Sequence, residues 1–149
     1  MTDIHLQAAA DFIAALCDDH NAVVCWQTFD DLKIRGNKAL LRQFHAPLAE
    51  AVSSLATLND RGAGIYLTIN ETDGEGRKKE NITKLRACFI DIDGTMTIPS
   101  VWPLSPSIVV RRDDTHWHAY WLLADGQPID AFELTQIHLI QHWGSDDKV

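Results

Sequence analysis

Two aspartates, Asp91 and Asp93, stand two residues apart at the end of the apolar run Ala87-Cys88-Phe89-Ile90, just before Gly94. In a strand the side-chain period is two, so both carboxylates project from one face. Side by side they repel each other and are costly to desolvate. A divalent cation removes that problem, and hard carboxylate oxygens suit Mg²⁺ or Mn²⁺, which are then available for phosphate chemistry. A bare D-x-D also reads as a strand running out into an acidic turn, so a second segment has to decide. In Thr115-His116-Trp117-His118-Ala119-Tyr120-Trp121 the alternation is legible. Trp117, Ala119 and Trp121 face one way; His116, His118 and Tyr120 face the other. A polar row in an otherwise apolar strand needs partners. A triphosphate beside a cation at Asp91 and Asp93 would supply one, with histidine donating to a phosphate oxygen.

Three further groups carry possible chemistry. Arg77, Lys78, Lys79, Lys84 and Arg86 place five cations in ten residues against one acid, Glu80. A charge run is most often a solvated face, but this one immediately precedes the D-x-D strand, which favours phosphate contact. Asp146 and Asp147 follow Gly144. They read either as an acidic tail or as a third carboxylate brought back to the first two. His138 and His142 lie one helical turn apart, but Leu139 stands where H-E-x-x-H requires Glu, so a solvated helix face is the better reading.

The elements that must position these residues follow from periodicity. A helix is expected over 4–17, with Ile4, Ala8, Phe12 (or Ala15) and Leu16 on one stripe. A strand is expected over 23–29, then a polar loop to Lys38. A long amphipathic helix is expected from about Ala39 to Asn59, kinked or split by Pro47 and closed by Gly62 and Gly64. A strand over 65–69 leads into a loop from Asn70 to Asn81 that Gly74 and Gly76 keep mobile. The D-x-D strand occupies 85–92. A Pro-rich connection (95–106) precedes a hairpin over 107–123. Pro128 opens a last helix whose buried side carries Ile129, Phe132, Ile137 and Ile140. Helices and strands do not alternate regularly. A doubly wound parallel sheet is therefore disfavoured, and an α+β domain, a mixed β-sheet with flanking helices, is expected.

Composition sets the bounds. At 149 residues the chain is long enough for one domain with a real core. The three cysteines, Cys17, Cys25 and Cys88, lack C-x-x-C spacing and sit in apolar segments, so they read as reduced core residues of a cytoplasmic protein. No apolar run approaches a membrane span, and Asp3 with no basic n-region argues against a signal peptide. A net charge of −8 argues against general nucleic-acid binding by charge alone.

Taken together, the segments 70–81, 85–94, 117–121 and 143–146 resemble the archaeo-eukaryotic primase, or primase-polymerase, superfamily, and within it the RepB-like primases of plasmids and phages. The similarity covers roughly residues 60–149, with a fainter match before. The resemblance implies a catalytic core with an RRM-like, palm-like part at about 86–149 and an N-terminal α/β part at about 1–85. It implies a nucleotidyltransferase that makes or extends primers on single-stranded DNA from nucleoside triphosphates. Asp91 and Asp93 would hold two cations, Mg²⁺ or Mn²⁺, with Asp146 as the third acid and Asp147 its fallback. His118, with His116, would bind the incoming nucleotide, and Arg77, Lys78 and Lys79 would hold the template backbone. A helicase domain or partner is implied as well. Relatives carry a small-residue turn before the histidine strand, where this chain has Arg112-Asp113-Asp114-Thr115. They also continue past Gly-x-Asp, so the chain reads as a domain cut short at its C-terminus. The stretch Phe89–Thr95 also resembles the D-x-D-G-T opening of haloacid-dehalogenase phosphatases, in which the first Asp is a nucleophile. That motif normally follows the first strand of a doubly wound fold and needs a later lysine, missing here in the right context. His116-Trp117-His118 is similar to rolling-circle nuclease strands, but no tyrosine follows from 122 onward. A nucleic-acid-binding replication module without catalysis is the remaining alternative.

Overall fold

The computed structural model describes residues 3–32 and 34–147. The chain forms two compact units, Met1–Thr83 and Lys84–Val149.

In the first unit, helix α1 (Asp3–Cys17) leads to strand β1 (Val24–Asp30). A short 3₁₀ turn, Lys38–Leu40, then precedes β2 (Arg42–Ala46), α2 (Leu48–Asp60) and β3 (Ala63–Leu67). The sheet order is β2-β1-β3, antiparallel throughout. One long helix over 39–59 is therefore corrected to a turn, a strand and a shorter helix. Its physical cause is twofold. Pro47 biases Ala46 to extended backbone and becomes the N-cap of α2. The buried Thr28 hydroxyl accepts from the Arg42 amide at 3.1 Å and donates to the Leu40 carbonyl at 2.7 Å, while the Trp26 indole donates to the Ala46 carbonyl at 3.0 Å. These three side-chain anchors on β1, two to β2 and one to the 3₁₀ turn before it, outweigh helix propensity. One face of the sheet packs on both helices around Ile13, Val24, Trp26, Leu48, Ala51 and Leu55. The α1 stripe is also rotated from expectation: Ile13 and Leu16 are buried, whereas Ala8 and Ala15 are exposed, and the Ile4 side chain lies outside the described residues.

The loop from 70 to 81 is knitted rather than loose. It contains β4 (Glu71–Thr72), which pairs with β5 (Ile82–Lys84), and a 3₁₀ turn at Lys79–Asn81. Asp73 and Asn81 close it. The Asp73 amide donates to the Asn81 carbonyl at 2.8 Å, and the Asn81 side chain donates to the Asp73 carboxylate at 3.1 Å and accepts from the Lys78 amide at 3.0 Å. Gly76 is required here, because a Cβ would collide with the Asn81 side-chain carbonyl.

In the second unit, β6 (Ala87–Asp93), β7 (Ile108–Arg111) and β8 (His116–Leu122) form an antiparallel sheet in the order β6-β8-β7. Helix α3 (Ile129–Trp143) lies against one face through Leu139 and Trp143, over Ile90, Ile92, Trp117 and Ala119. Trp102, from the proline-rich connection, joins three other tryptophans there, edge-on to Trp117 at 5.6 Å and tilted on Trp143 at 5.2 Å. The expected buried side of α3 needs one correction. Ile137 is exposed, and the residue buried one position earlier is Gln136. The α+β expectation holds, with the strands divided between two three-stranded sheets and one two-stranded pair.

Among the described residues no helix is long and apolar enough to cross a membrane. Cys17, Cys25 and Cys88 are free thiols, and burial raises the pKa of Cys25 and Cys88 above the ordinary thiol value.

Candidate active site

Register builds the site. Asp91 lies opposite His118 and Asp93 opposite His116 across the β6–β8 ladder. Cross-strand partners share a face, so both carboxylates and both imidazoles stand on the face turned away from α3. Residues between them, Ile90, Ile92, Trp117 and Ala119, supply the buried side. Period-two alternation thus delivers a chemical row and a core row from the same two strands.

The pairs are direct. His118 Nε2 is 3.0 Å from Asp91 Oδ1, and His116 Nε2 is 3.1 Å from Asp93 Oδ1. Behind each imidazole stands a second partner. His118 Nδ1 lies 3.1 Å from the Tyr120 hydroxyl, and His116 Nδ1 lies 2.8 Å from Asp113 Oδ1. Such outer partners fix ring orientation, as they do for metal-site histidines. Tyr120 is buried and stacks on Phe89 at 5.9 Å. Burial, then the Asp91 charge, raises its pKa above the ordinary phenol value, so it remains a phenol. The Asp113 carboxyl is held far below the usual carboxylate range by the His116 imidazole first, then by the Thr115 and His116 amides. The acids of the 112–115 turn are accordingly spent locally: Asp113 on His116 and the turn amides, Asp114 on Arg111.

β6 is an edge strand, and its outer backbone is satisfied by the segment that follows it in space. Gln136 accepts from the Phe89 amide at 3.2 Å and donates to the Phe89 carbonyl. Two residues on, Ser145 Oγ accepts from the Asp91 amide at 2.9 Å and donates to the Asp91 carbonyl at 3.1 Å, and the Asp146 amide donates to that carbonyl at 3.0 Å. Gly144 makes this return possible. It caps α3 in the left-handed conformation, φ +62°, a geometry that favours glycine. Asp146 is thereby tied by its backbone beside Asp91; Asp147 follows it, exposed.

The structure therefore brings together Asp91, Asp93, His116 and His118, and anchors Asp146 alongside. His138 and His142 are exposed on α3. Arg77, Lys78 and Lys79 belong to the knitted loop of the first unit. Sequence reasoning missed Asp113, Gln136 and Ser145. Asp113 had a signal, since Asp two residues before Thr in a polar turn is an Asx-turn pattern. Gln136 and Ser145 had none, because satisfying a strand edge is a tertiary event.

Among the described residues no three of His, Cys, Asp and Glu are gathered closely enough to hold a metal on their own. The donor chemistry nonetheless fits Mg²⁺ or Mn²⁺. Mg²⁺ is usually bound through one or two carboxylates plus substrate phosphates rather than by an all-protein cage, and Asp91 and Asp93 are two such carboxylates on one face.

No family model matches the chain, and no curated protein matches it. Among solved structures, the AEP domain of the cyanophage S-2L primase-polymerase (PrimPol) is similar, with 19% sequence identity and a TM-score of 0.65, covering 91% of this chain and 71% of that one. At that identity the likeness is one of fold. The two units together thus have the α+β fold of an AEP primase-polymerase domain.

Proposed function

We propose that the chain is a nucleotidyltransferase of primase-polymerase type, joining nucleoside triphosphates on a single-stranded DNA template in the manner of RepB-like plasmid and phage primases. The observation that carries the reading is the doubled carboxylate–imidazole row, Asp91–His118 and Asp93–His116, on the sheet face turned away from α3 in this fold. Asp91 and Asp93 would hold the divalent cations, two in the full form of the reading, with Asp146 as the third acid. Cations bound there would stabilise the attacking 3′-hydroxyl and the leaving pyrophosphate of an in-line displacement.

The chain's own groups do the rest. His118 Nε2 now faces Asp91, and it is the donor that would turn to a phosphate oxygen of the nucleotide. Tyr120, unable to ionise near neutrality, keeps the other ring nitrogen in place. His116, held at Nδ1 by Asp113, presents Nε2 to the same face. Arg77, Lys78 and Lys79 would neutralise template phosphates, and a helicase domain or partner would present the strand. The antiparallel setting of β6 speaks against the phosphatase reading, which requires the aspartates at the end of a parallel strand.

The test is incorporation of labelled nucleotide on single-stranded DNA with Mn²⁺, comparing the chain with Asp91→Asn. Product with pyrophosphate release, lost in the variant, is expected. Steady orthophosphate release from small phosphoesters, with no incorporation, would move the assignment to a phosphatase. A single strand bound without either chemistry would leave a non-catalytic replication module.

A further inference from the structure

Helix α3 has a face that neither the core nor the carboxylate row uses. Gln136, Leu139 and Trp143 turn toward the sheet. On the opposite side Leu134, Ile137, His138, Gln141 and His142 are all exposed. Leu134 and Ile137 are apolar, yet 61% and 43% exposed. His138 and His142 stand four residues apart inside the helix, so both imidazoles rise from one face, one turn apart. That is the spacing at which an H-E-x-x-H helix gives two ligands to one zinc. Leu139 in place of glutamate removes the general base of that motif. It rules out hydrolysis there, not metal binding.

The surroundings favour a cation. Among the described residues neither imidazole has a hydrogen-bond or ion-pair partner; His142 meets only the ring of Trp143, edge-on at 5.3 Å. His142 lies in the last turn of α3, where the negative end of the helix dipole attracts positive charge. Borderline-soft imidazole nitrogens suit zinc rather than the Mg²⁺ or Mn²⁺ that the carboxylate row fits. The ligand count then decides what completes the site. A closed zinc centre takes four ligands in a tetrahedron. Among the described residues no third His, Cys, Asp or Glu gathers with this pair. A two-fold axis through the metal supplies the missing two from the same residues of a second copy.

We propose that α3 carries a zinc site shared between two copies of this chain, with His138 and His142 of each closing a tetrahedral four-histidine centre and Leu134 and Ile137 packed around it. Contact between the two outer faces covers the apolar side chains. Two such side chains do not supply the roughly 1,200–2,000 Å² that a stable interface buries. At a net charge of −8 per chain, two copies also repel. The dication offsets both deficits, so association depends on zinc. Nothing in this assignment rests on nucleotidyl transfer.

The experiment is sedimentation velocity of the whole chain in EDTA and over a zinc titration. A monomer in EDTA and a dimer at one zinc per two chains are expected. His138→Ala and His142→Ala should each weaken the dimer tenfold or more. Both side chains are exposed, and an unchanged circular dichroism spectrum separates ligand loss from misfolding. Zinc can also enter the carboxylate row, so Asp91→Asn is the control, and it should dimerise like the parent chain. Cobalt in place of zinc should give the intense visible absorption of a tetrahedral site, lost in His138→Ala. A monomer at every zinc concentration, an equally strong dimer in EDTA, or a zinc-dependent dimer that survives His138→Ala combined with His142→Ala would each overturn the proposal. So would a dimer lost in Asp91→Asn, which would place the bridging metal at the carboxylate row. Nucleotide incorporation, present or absent, moves none of these outcomes, so this assignment and the proposed function fail separately.

Discussion

Replacing Gln136 with Ala removes both outer hydrogen bonds of Phe89, one to its amide and one to its carbonyl. Gln136 is 5% exposed, so water reaches the vacated groups poorly. Each buried backbone group left without a partner costs about 1–3 kcal/mol. Partial relaxation of α3 reduces the sum, giving about 2–4 kcal/mol for Gln136→Ala. For a chain of this size that is a fall in Tm of roughly 5–15 °C. Urea unfolding followed by tryptophan fluorescence suits the question, because four of the five tryptophans lie in the same unit as Gln136. The control is Ile137→Ala, one residue on. Ile137 is 43% exposed, and its truncation should cost under about 1 kcal/mol. A chain in which Ile137→Ala costs more than Gln136→Ala would refute the reasoning, since α3 would then present a different face to β6. The consequence reaches the site: β6 carries Asp91 and Asp93, and an unsatisfied Phe89 frees the edge that Ser145 holds two residues on.

Gly76→Ala should force Asn81 away from the Lys78 amide, costing about 1–3 kcal/mol and weakening oligonucleotide binding; thermal melts and anisotropy together check it, and an unchanged melt would contradict the packing described. Asp113→Asn should weaken nucleotide binding about three- to tenfold by loosening His116, a change of about 1 kcal/mol typical of a lost hydrogen bond; titration with a nucleoside triphosphate tests it, and parent-like affinity would remove Asp113 from the site. Asp30 is held far below the usual carboxylate range by Arg35 first, against some burial, with help from the Asn37 and Leu32 amides. Its stabilising contribution is therefore full above the unfolded carboxylate pKa of about 4 and fades as pH falls toward the folded value. The Tm gap between the parent chain and Asp30→Asn should narrow below about pH 4, and a gap constant down to acid would show that Asp30 stabilises by some other means.

The residues with chemistry were legible because they lie on strands with one polar and one apolar row. Asp91, Asp93, His116 and His118 each follow period two, and register alone then sets them opposite one another. The stretch from 39 to 59 was not legible in the same way. In Arg42–Ala46 only Phe44 and Ala46 alternate with polar neighbours, too short a run to decide against a helix, and it becomes a strand through what β1 offers it: the Thr28 hydroxyl and the Trp26 indole. On α3 Gln136, between Phe132 and Ile140, takes the buried place that Ile137 is expected to hold, for a related reason. An edge strand needs hydrogen-bond partners at two backbone positions, and a buried amide meets that need better than the isoleucine beside it. In the loop from 70 to 81 a glycine such as Gly76 reads as a source of mobility from sequence alone, but it stands there because the Asn81 side chain occupies the space of its Cβ.

The central claim is that Asp91 and Asp93 form a cation-dependent nucleotide site with His118. Calorimetric titration of a nucleoside triphosphate into the chain, with and without Mn²⁺ and beside Asp91→Asn, tests it most directly. The account predicts binding that requires Mn²⁺ and disappears in Asp91→Asn while that variant keeps the parent's fold by circular dichroism. Equal binding without Mn²⁺, or undiminished binding in Asp91→Asn, would contradict it.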